Sequence, residues 1–315
     1  CQSHRRNDKI LNNVRSNLSV TTQPIQKQIP TMNASQPVDE KMQCMEVWGG
    51  NKATWSQFSV PGLDLWVHSE PFRSSDGGGD VYYLSSCASG RITRMLLADV
   101  SGHGASVAPV AVALRDLMRQ NINFIKQTHL VASLNSQFES IAATGCFATA
   151  VVSTFFSPTR TLSVCNAGHP LPLFRDANSG LWRSSVAGTD EEARNNMPIG
   201  IVDDGGYRST KLRLEVNNMV LTYTDSLSES MDVDGKMLGT QGVCDIVNSL
   251  NSLSPELLIP SLLAAIRGLN SDNLLSDDTT VMLLRANGSG VRFTENLKAP
   301  FRILKGLWQT CFRSA

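Results

Sequence analysis

Along this chain the spacing of apolar residues switches period several times, and that switching separates strands and helices into blocks. LDLWVHSE, residues 63–70, alternates like a half-buried strand. DVYYLSSC (80–87) and RITRMLLAD (91–99) follow and predict a hairpin. From Val107 the period changes. Val107, Val110, Ala111, Leu114, Leu117, Met118 and Ile122 recur at three and four residues, the apolar face of a long helix. Val131, Leu134, Phe138 and Ile141 predict a second. Strand texture returns in CFATAVVSTFF (146–156), TLSVCNAG (161–168) and PLPLF (170–174). Residues 175–210 read as loops around a short strand, then KLRLEV (211–216) and MVLTYTD (219–225) as another strand pair. Helices are expected near 240–252 and 255–269, the latter with Pro255 in its first turn. TTVMLLRA (279–286) closes the set. Strands joined by short turns and grouped apart from helices predict antiparallel sheets and an α+β class. No internal repeat is evident.

Composition fixes the ends. Residues 1–44 are rich in Gln, Asn, Ser and Thr and carry Pro24, Pro30 and Pro37, which predicts a disordered arm. Residues 45–290 read as the globular domain and 291–315 as a basic amphipathic tail. In the tail Ile303, Leu304, Leu307 and Trp308 oppose Lys298, Arg302 and Lys305. A packed terminal helix and a docking or membrane-surface helix are both open readings of it. Lys+Arg and Asp+Glu both total 28, so no global field favours nucleic acid or membrane. No apolar run approaches the ~20 residues of a membrane span, and no secretory signal is visible. The seven cysteines are odd in number and widely spaced, without a CxxC pair. That pattern argues against a structural zinc site and for reduced thiols in a cytoplasm.

Four acidic positions stand at strand boundaries. Asp80 opens a strand after three glycines, Asp99 ends MLLAD, Asp225 ends MVLTYTD, and Asp277 with Asp278 precedes TTVMLL. Aspartate commonly caps turns, and any one of these can be read that way. If such ends converge at one sheet edge, the carboxylates repel unless protons or cations neutralise them. Hard oxygen donors of this kind suit Mg²⁺ or Mn²⁺. A structural Ca²⁺ domain is a weaker reading, because calcium loops cluster their carboxylates within one segment and these are scattered from Asp80 to Asp277.

GGD (78–80), LLADVSGHG (96–104), FATAVV (147–152), NAGHPLPL (166–173), PIG (198–200), LTYTDSLSE (221–229) and DDTTVMLL (277–284) occur in that order. Together they resemble the SpoIIE/RsbU-type branch of the metal-dependent PPM (PP2C-like) serine/threonine phosphatases, over about residues 60–286. MQCMEVWGGN (42–51) also resembles planctomycete members of the group. The resemblance implies an α-β-β-α sandwich of two antiparallel sheets flanked by helices. It implies two Mn²⁺ or Mg²⁺ ions, which activate a water and clamp the transferring phosphoryl group, with no covalent enzyme intermediate. By resemblance Asp99 bridges the ions, Asp225 and Asp277 hold the first, and Asp80 with the Val100 carbonyl serves the second. Asp99 and Asp225 are the catalytic candidates, and Asp278 and His103 are additional ones.

Departures accompany the resemblance. DVSGHG puts Ser101 where the DGHGG of eukaryotic relatives carries its histidine, with His103 two residues later, so His103 is read either as a loop residue or as general acid. TDS (224–226) replaces the common TDG, and Arg73 is a weak candidate for a phosphate-binding arginine. His169 in NAGHP reads as a structural turn residue. The implied substrate is a phosphorylated regulatory protein, such as a STAS-domain anti-anti-sigma factor in a partner-switching pathway. A homodimer fits the branch. The rival reading is a catalytically silent PPM-fold binding module.

Overall fold

The computed structural model describes residues 38–41, 47–87, 90–102, 106–142, 145–184, 196–202, 206–250 and 254–290. Most of the expected disordered arm, the tail 291–315, and His103 lie outside them. One part of the arm is ordered: β1 (Val38–Lys41) pairs in parallel with β3.

Thirteen described strands form two sheets. In the first, β1, β3 (Thr54–Val60), β4 (Leu63–Glu70), β13 (Thr279–Ala286), β12 (Met219–Tyr223), β9 (Leu173–Arg175) and β10 (Trp182–Arg183) lie side by side in that order. In the second the order is β11 (Thr210–Arg213), β8 (Thr161–Ala167), β7 (Ala148–Phe156), β6 (Ile92–Val100), β5 (Asp80–Cys87) and β2 (Val47–Gly50). All pairings except β1 with β3 are antiparallel.

Three apolar layers hold four structural layers together. On β5, Tyr82 and Leu84 face the opposite sheet, whereas Val81 and Tyr83 face the helices α1 (Ala108–Gln120) and α2 (Gln127–Phe138). On β13, Met282 and Leu284 join the layer between the sheets. Val281 and Leu283 pack under α4 (Gly239–Ser249) and α5 (Pro255–Leu269). Successive strand residues point to opposite faces, and both faces are covered. That is why the central strands read as near-continuous apolar runs. The result is the α-β-β-α sandwich that the family resemblance implies. Among the described residues, no helix is long and apolar enough to cross a membrane.

The expected pairing of KLRLEV with MVLTYTD does not form. β11 pairs with β8 and β12 with β9 and β13, so the chain changes sheet between them. Leu214 is buried in the layer between the sheets at this crossing. The second helix ends at Phe138, and Ile141 is exposed rather than part of its face.

At the far end of β4 and β13, Asp64 is nearly buried and fully satisfied. Arg285 donates to its Oδ2 at 2.7 Å, and Ser59 and Asn287 donate to Oδ1 at 2.9 Å each. Asp64→Ala strands these donors and should cost about 2 kcal/mol, read as a lower urea midpoint. An unchanged midpoint would show that the cluster contributes nothing.

Candidate active site

β5 and β6 are neighbours in one sheet, and the start of β5 meets the end of β6. Asp80 therefore stands directly opposite Asp99. β12 and β13 are neighbours in the other sheet, with Tyr223 opposite Val281. The segment after β12 carries Asp225, and the segment before β13 carries Asp277 and Asp278. Hydrogen bonds join these edges across the sandwich. Thr224 Oγ1 donates to Asp80 Oδ2 at 2.8 Å, and Gly79 N donates to Asp278 Oδ2 at 2.6 Å. Thr224 is itself fixed, because its N–H donates to Thr280 O and its hydroxyl oxygen accepts from Thr280 N.

Two boundary expectations need correction. Asp99 is the penultimate residue of its strand, because β6 runs on to pair Val100 with Ala148. Asp225 does not end β12. It is the first residue of the short helix α3 (Asp225–Ser228), since the Asp-Ser-Leu-Ser run has little strand preference.

The three glycines before Asp80 are required by three different neighbours. A Cβ on Gly77 would stand 2.9 Å from Asn51 Nδ2. One on Gly78 would lie 2.2 Å from Asp278 Oδ1, and one on Gly79 2.9 Å from the Val100 carbonyl oxygen. The Val100 carbonyl thus faces the turn that delivers Asp80, and Val100 N donates to Gly79 O at 3.2 Å.

Electrostatics set this edge apart. Burial, then the charges of Asp225, Asp277, Asp278 and Glu229, push the Asp99 carboxyl up to about 8. Burial, then Asp99 and Asp278, raise Asp80 well above the carboxylate range. Burial and then Glu229 raise Asp225. Among the described residues no Lys, Arg or His forms an ion pair with Asp80, Asp99 or Asp225. Nor do three His, Cys, Asp or Glu side chains among them close around one point as a ready-made cage. Like charges without a counter-ion hold apart. An excess of negative charge carried by hard oxygen donors fits divalent Mg²⁺ or Mn²⁺.

The adjacent aspartates 277 and 278 differ. Asp278 is 2% exposed, and both its oxygens are taken by main-chain donors, Phe72 N and Gly79 N, at 2.6 Å each. Asp277 is half-buried and accepts from Asp278 N at 2.7 Å. Arg73 sits beside this clamp in a 3-10 turn (Phe72–Ser74) at φ 52°, with its guanidinium 4.8 Å over the Phe72 ring. His169 is built into its turn, as expected. Its N–H donates to Asn166 Oδ1, Asn166 Nδ2 donates to its carbonyl, and its Nδ1 pairs with Thr149 Oγ1 at 2.8 Å. Burial pushes its pKa down to about 3, so it stays neutral. Sequence reading missed Thr224 and Asn51. The signals available were a hydroxyl residue wedged between strand and aspartate, and an Asn closing a Gly-Gly pair.

The family model for stage II sporulation protein E (SpoIIE) matches residues 89–287, more than half of the chain. Over 161 residues the chain is 27% identical to phosphoserine phosphatase RsbP of Bacillus subtilis (strain 168), covering 50% of this chain and 38% of that protein. The RsbU and RsbW domains of a Mycobacterium tuberculosis protein share the fold at a TM-score of 0.60 and 21% identity, over 76% of this chain and 63% of that one. The PP2C phosphatase domain of Bacillus subtilis SpoIIE, with a fragment of its regulatory domain, does so at 0.56 and 13%, over 78% and 64%. The chain thus spans less than two thirds of the length of these relatives. With the sandwich, the motif order and the family match in agreement, this chain belongs to the SpoIIE family, the SpoIIE/RsbU-type group of PPM phosphatases.

Proposed function

We propose that this chain is a metal-dependent protein phosphatase that hydrolyses phosphoserine or phosphothreonine on a cytoplasmic regulatory protein. A STAS-type anti-anti-sigma factor is the substrate class that best fits the family. The observation carrying this reading is the gathering of Asp80, Asp99, Asp225 and Asp277 at one edge of the sandwich, with Asp99 raised to about 8 by burial and by its acidic neighbours. The name of RsbP, a phosphoserine phosphatase, supports the reaction class.

The residues take distinct roles. Asp99 stands opposite Asp80 and is acted on by the charges of Asp225 and Asp277, so it would be shared by both cations. Asp225 and Asp277 would hold the first, and Asp80 with the Val100 carbonyl the second. When bound, such a pair supplies a water of lowered pKa and neutralises charge on the phosphoryl oxygens. Thr224 holds one Asp80 oxygen in place. Asp278 is committed to the main chain of the Gly-rich turn, so it acts on the site through Gly79 rather than as a ligand.

Phosphate release from a phosphoserine peptide should be lost in excess EDTA and restored by Mn²⁺ or Mg²⁺. Full release in EDTA would sink the metal-dependent reading. No release with any divalent ion, from a chain that binds a phosphoprotein, would favour the silent binding module.

A further inference from the structure

We infer that Asn51 is the positioning residue that sets Asp80 for the second cation. The inference rests on the phosphatase reading above and concerns a residue ahead of the stretch matched by the family, 89–287.

Asn51 follows β2 and is 4% exposed. Its Nδ2 donates to Gly78 O at 2.9 Å and to Ala108 O at 3.2 Å. Its own carbonyl accepts from Gly78 N at 2.9 Å. Both main-chain polar groups of Gly78 are therefore held by one residue. The same side chain reaches the first residue of α1, so it ties the Gly-rich turn to the helix that follows the LLADVSGHG motif.

The turn needs such a grip. Three consecutive glycines offer little intrinsic resistance to rotation of the peptide planes. The residue they deliver, Asp80, stands directly opposite Asp99 and has one oxygen held by Thr224. Hydrogen bonds hold the turn at each glycine: Ser75 Oγ on Gly77 O, Asn51 on both polar groups of Gly78, and Asp278 and Val100 N on Gly79. Thr224 holds one oxygen of Asp80, but it fixes the carboxylate and not the main chain that carries it. Removing the Asn51 amide frees the Gly78 carbonyl, and the turn can swing Asp80 away from the Val100 carbonyl that would share its ion. A side chain on Gly77 is excluded because Asn51 occupies that space.

The test is a double-mutant cycle on the full chain, read by Mn²⁺ binding. Free Mn²⁺ is followed by electron paramagnetic resonance, and a cooperative melting transition certifies each variant as folded. Asn51→Ala should weaken the weaker Mn²⁺ site about 10-fold, the range seen when a ligand's support is removed. Asp80→Asn should weaken the same site. In the Asp80→Asn background Asn51→Ala should add no further loss, because residues acting through one another are not additive. If Asn51→Ala fails to melt cooperatively, Asn51→Ser, which keeps one shorter donor, replaces it with a smaller loss expected and the same non-additivity. Wild-type binding by the Asn51 variant, or an equal further loss in the Asp80→Asn background, would overturn the inference while leaving the phosphatase reading intact. A wild-type chain that binds no Mn²⁺ would instead overturn the reading, and the inference with it.

Discussion

Asp99→Asn should lower phosphoserine-peptide turnover by roughly 10³-fold, about 4 kcal/mol of transition-state stabilisation, and should stabilise the metal-free fold above neutral pH. Both effects follow from one feature. Asp99 stands opposite Asp80 and within the field of Asp225, Asp277, Asp278 and Glu229. As a carboxylate it would draw in cations; without them it is a buried charge among like charges. The folded chain holds this proton up to about pH 8, whereas an unfolded chain releases it near pH 4. The Asp99 contribution to metal-free stability is therefore fully present below about pH 4 and is lost as pH rises through about 8. An amide does not ionise, so the variant should melt above wild type at pH 8.5 in EDTA. That advantage should fade toward acid pH. A lower midpoint for the variant at every pH would mean that Asp99 is a structural cap. Retained turnover would remove it from the chemistry.

The second large effect separates the two adjacent aspartates. Asp278→Ala removes the acceptor for Phe72 N and Gly79 N, two main-chain donors at 2.6 Å. A buried donor left unpaired costs ~1–3 kcal/mol, so the two together should cost roughly 2–6 kcal/mol. The urea midpoint should fall steeply, and activity should fall with it because the turn carrying Asp80 is released. Asp277→Asn should behave in the opposite way, with activity lost by orders of magnitude and the midpoint held. Equal loss of stability in both variants would show that Asp277 also clamps the main chain. A stable, inactive Asp278→Ala variant would reverse the two roles.

Much of the sandwich was legible because its strands are long and its helices strongly periodic. LDLWVHSE and DVYYLSSC coincide with β4 and β5, and the helix over 255–269 was placed by its apolar face and by Pro255. What period cannot show is which strands pair. KLRLEV and MVLTYTD are close in sequence, yet Leu214 between them is buried where the chain passes from one sheet to the other. The candidate site was legible in part for a related reason. A carboxylate at a strand boundary is visible as a departure from an apolar run, so Asp80, Asp99 and Asp277 stand out. Asp225 was read as a strand end, although it opens a helix. The supports were hidden, because Asn51 and Thr224 are ordinary polar residues whose partners lie far away in sequence.

The position of β13 has a consequence for how the protein matures during synthesis. It follows every other described strand in sequence, yet it lies between β4 and β12 in the interior of its sheet. β4 and β12 cannot pair through it until this late segment has left the ribosome. Asp277 and Asp278 immediately precede it, so the grip on Gly79 arrives in the same step. A nascent chain that has not yet released this segment lacks two of the aspartates that the candidate site draws together.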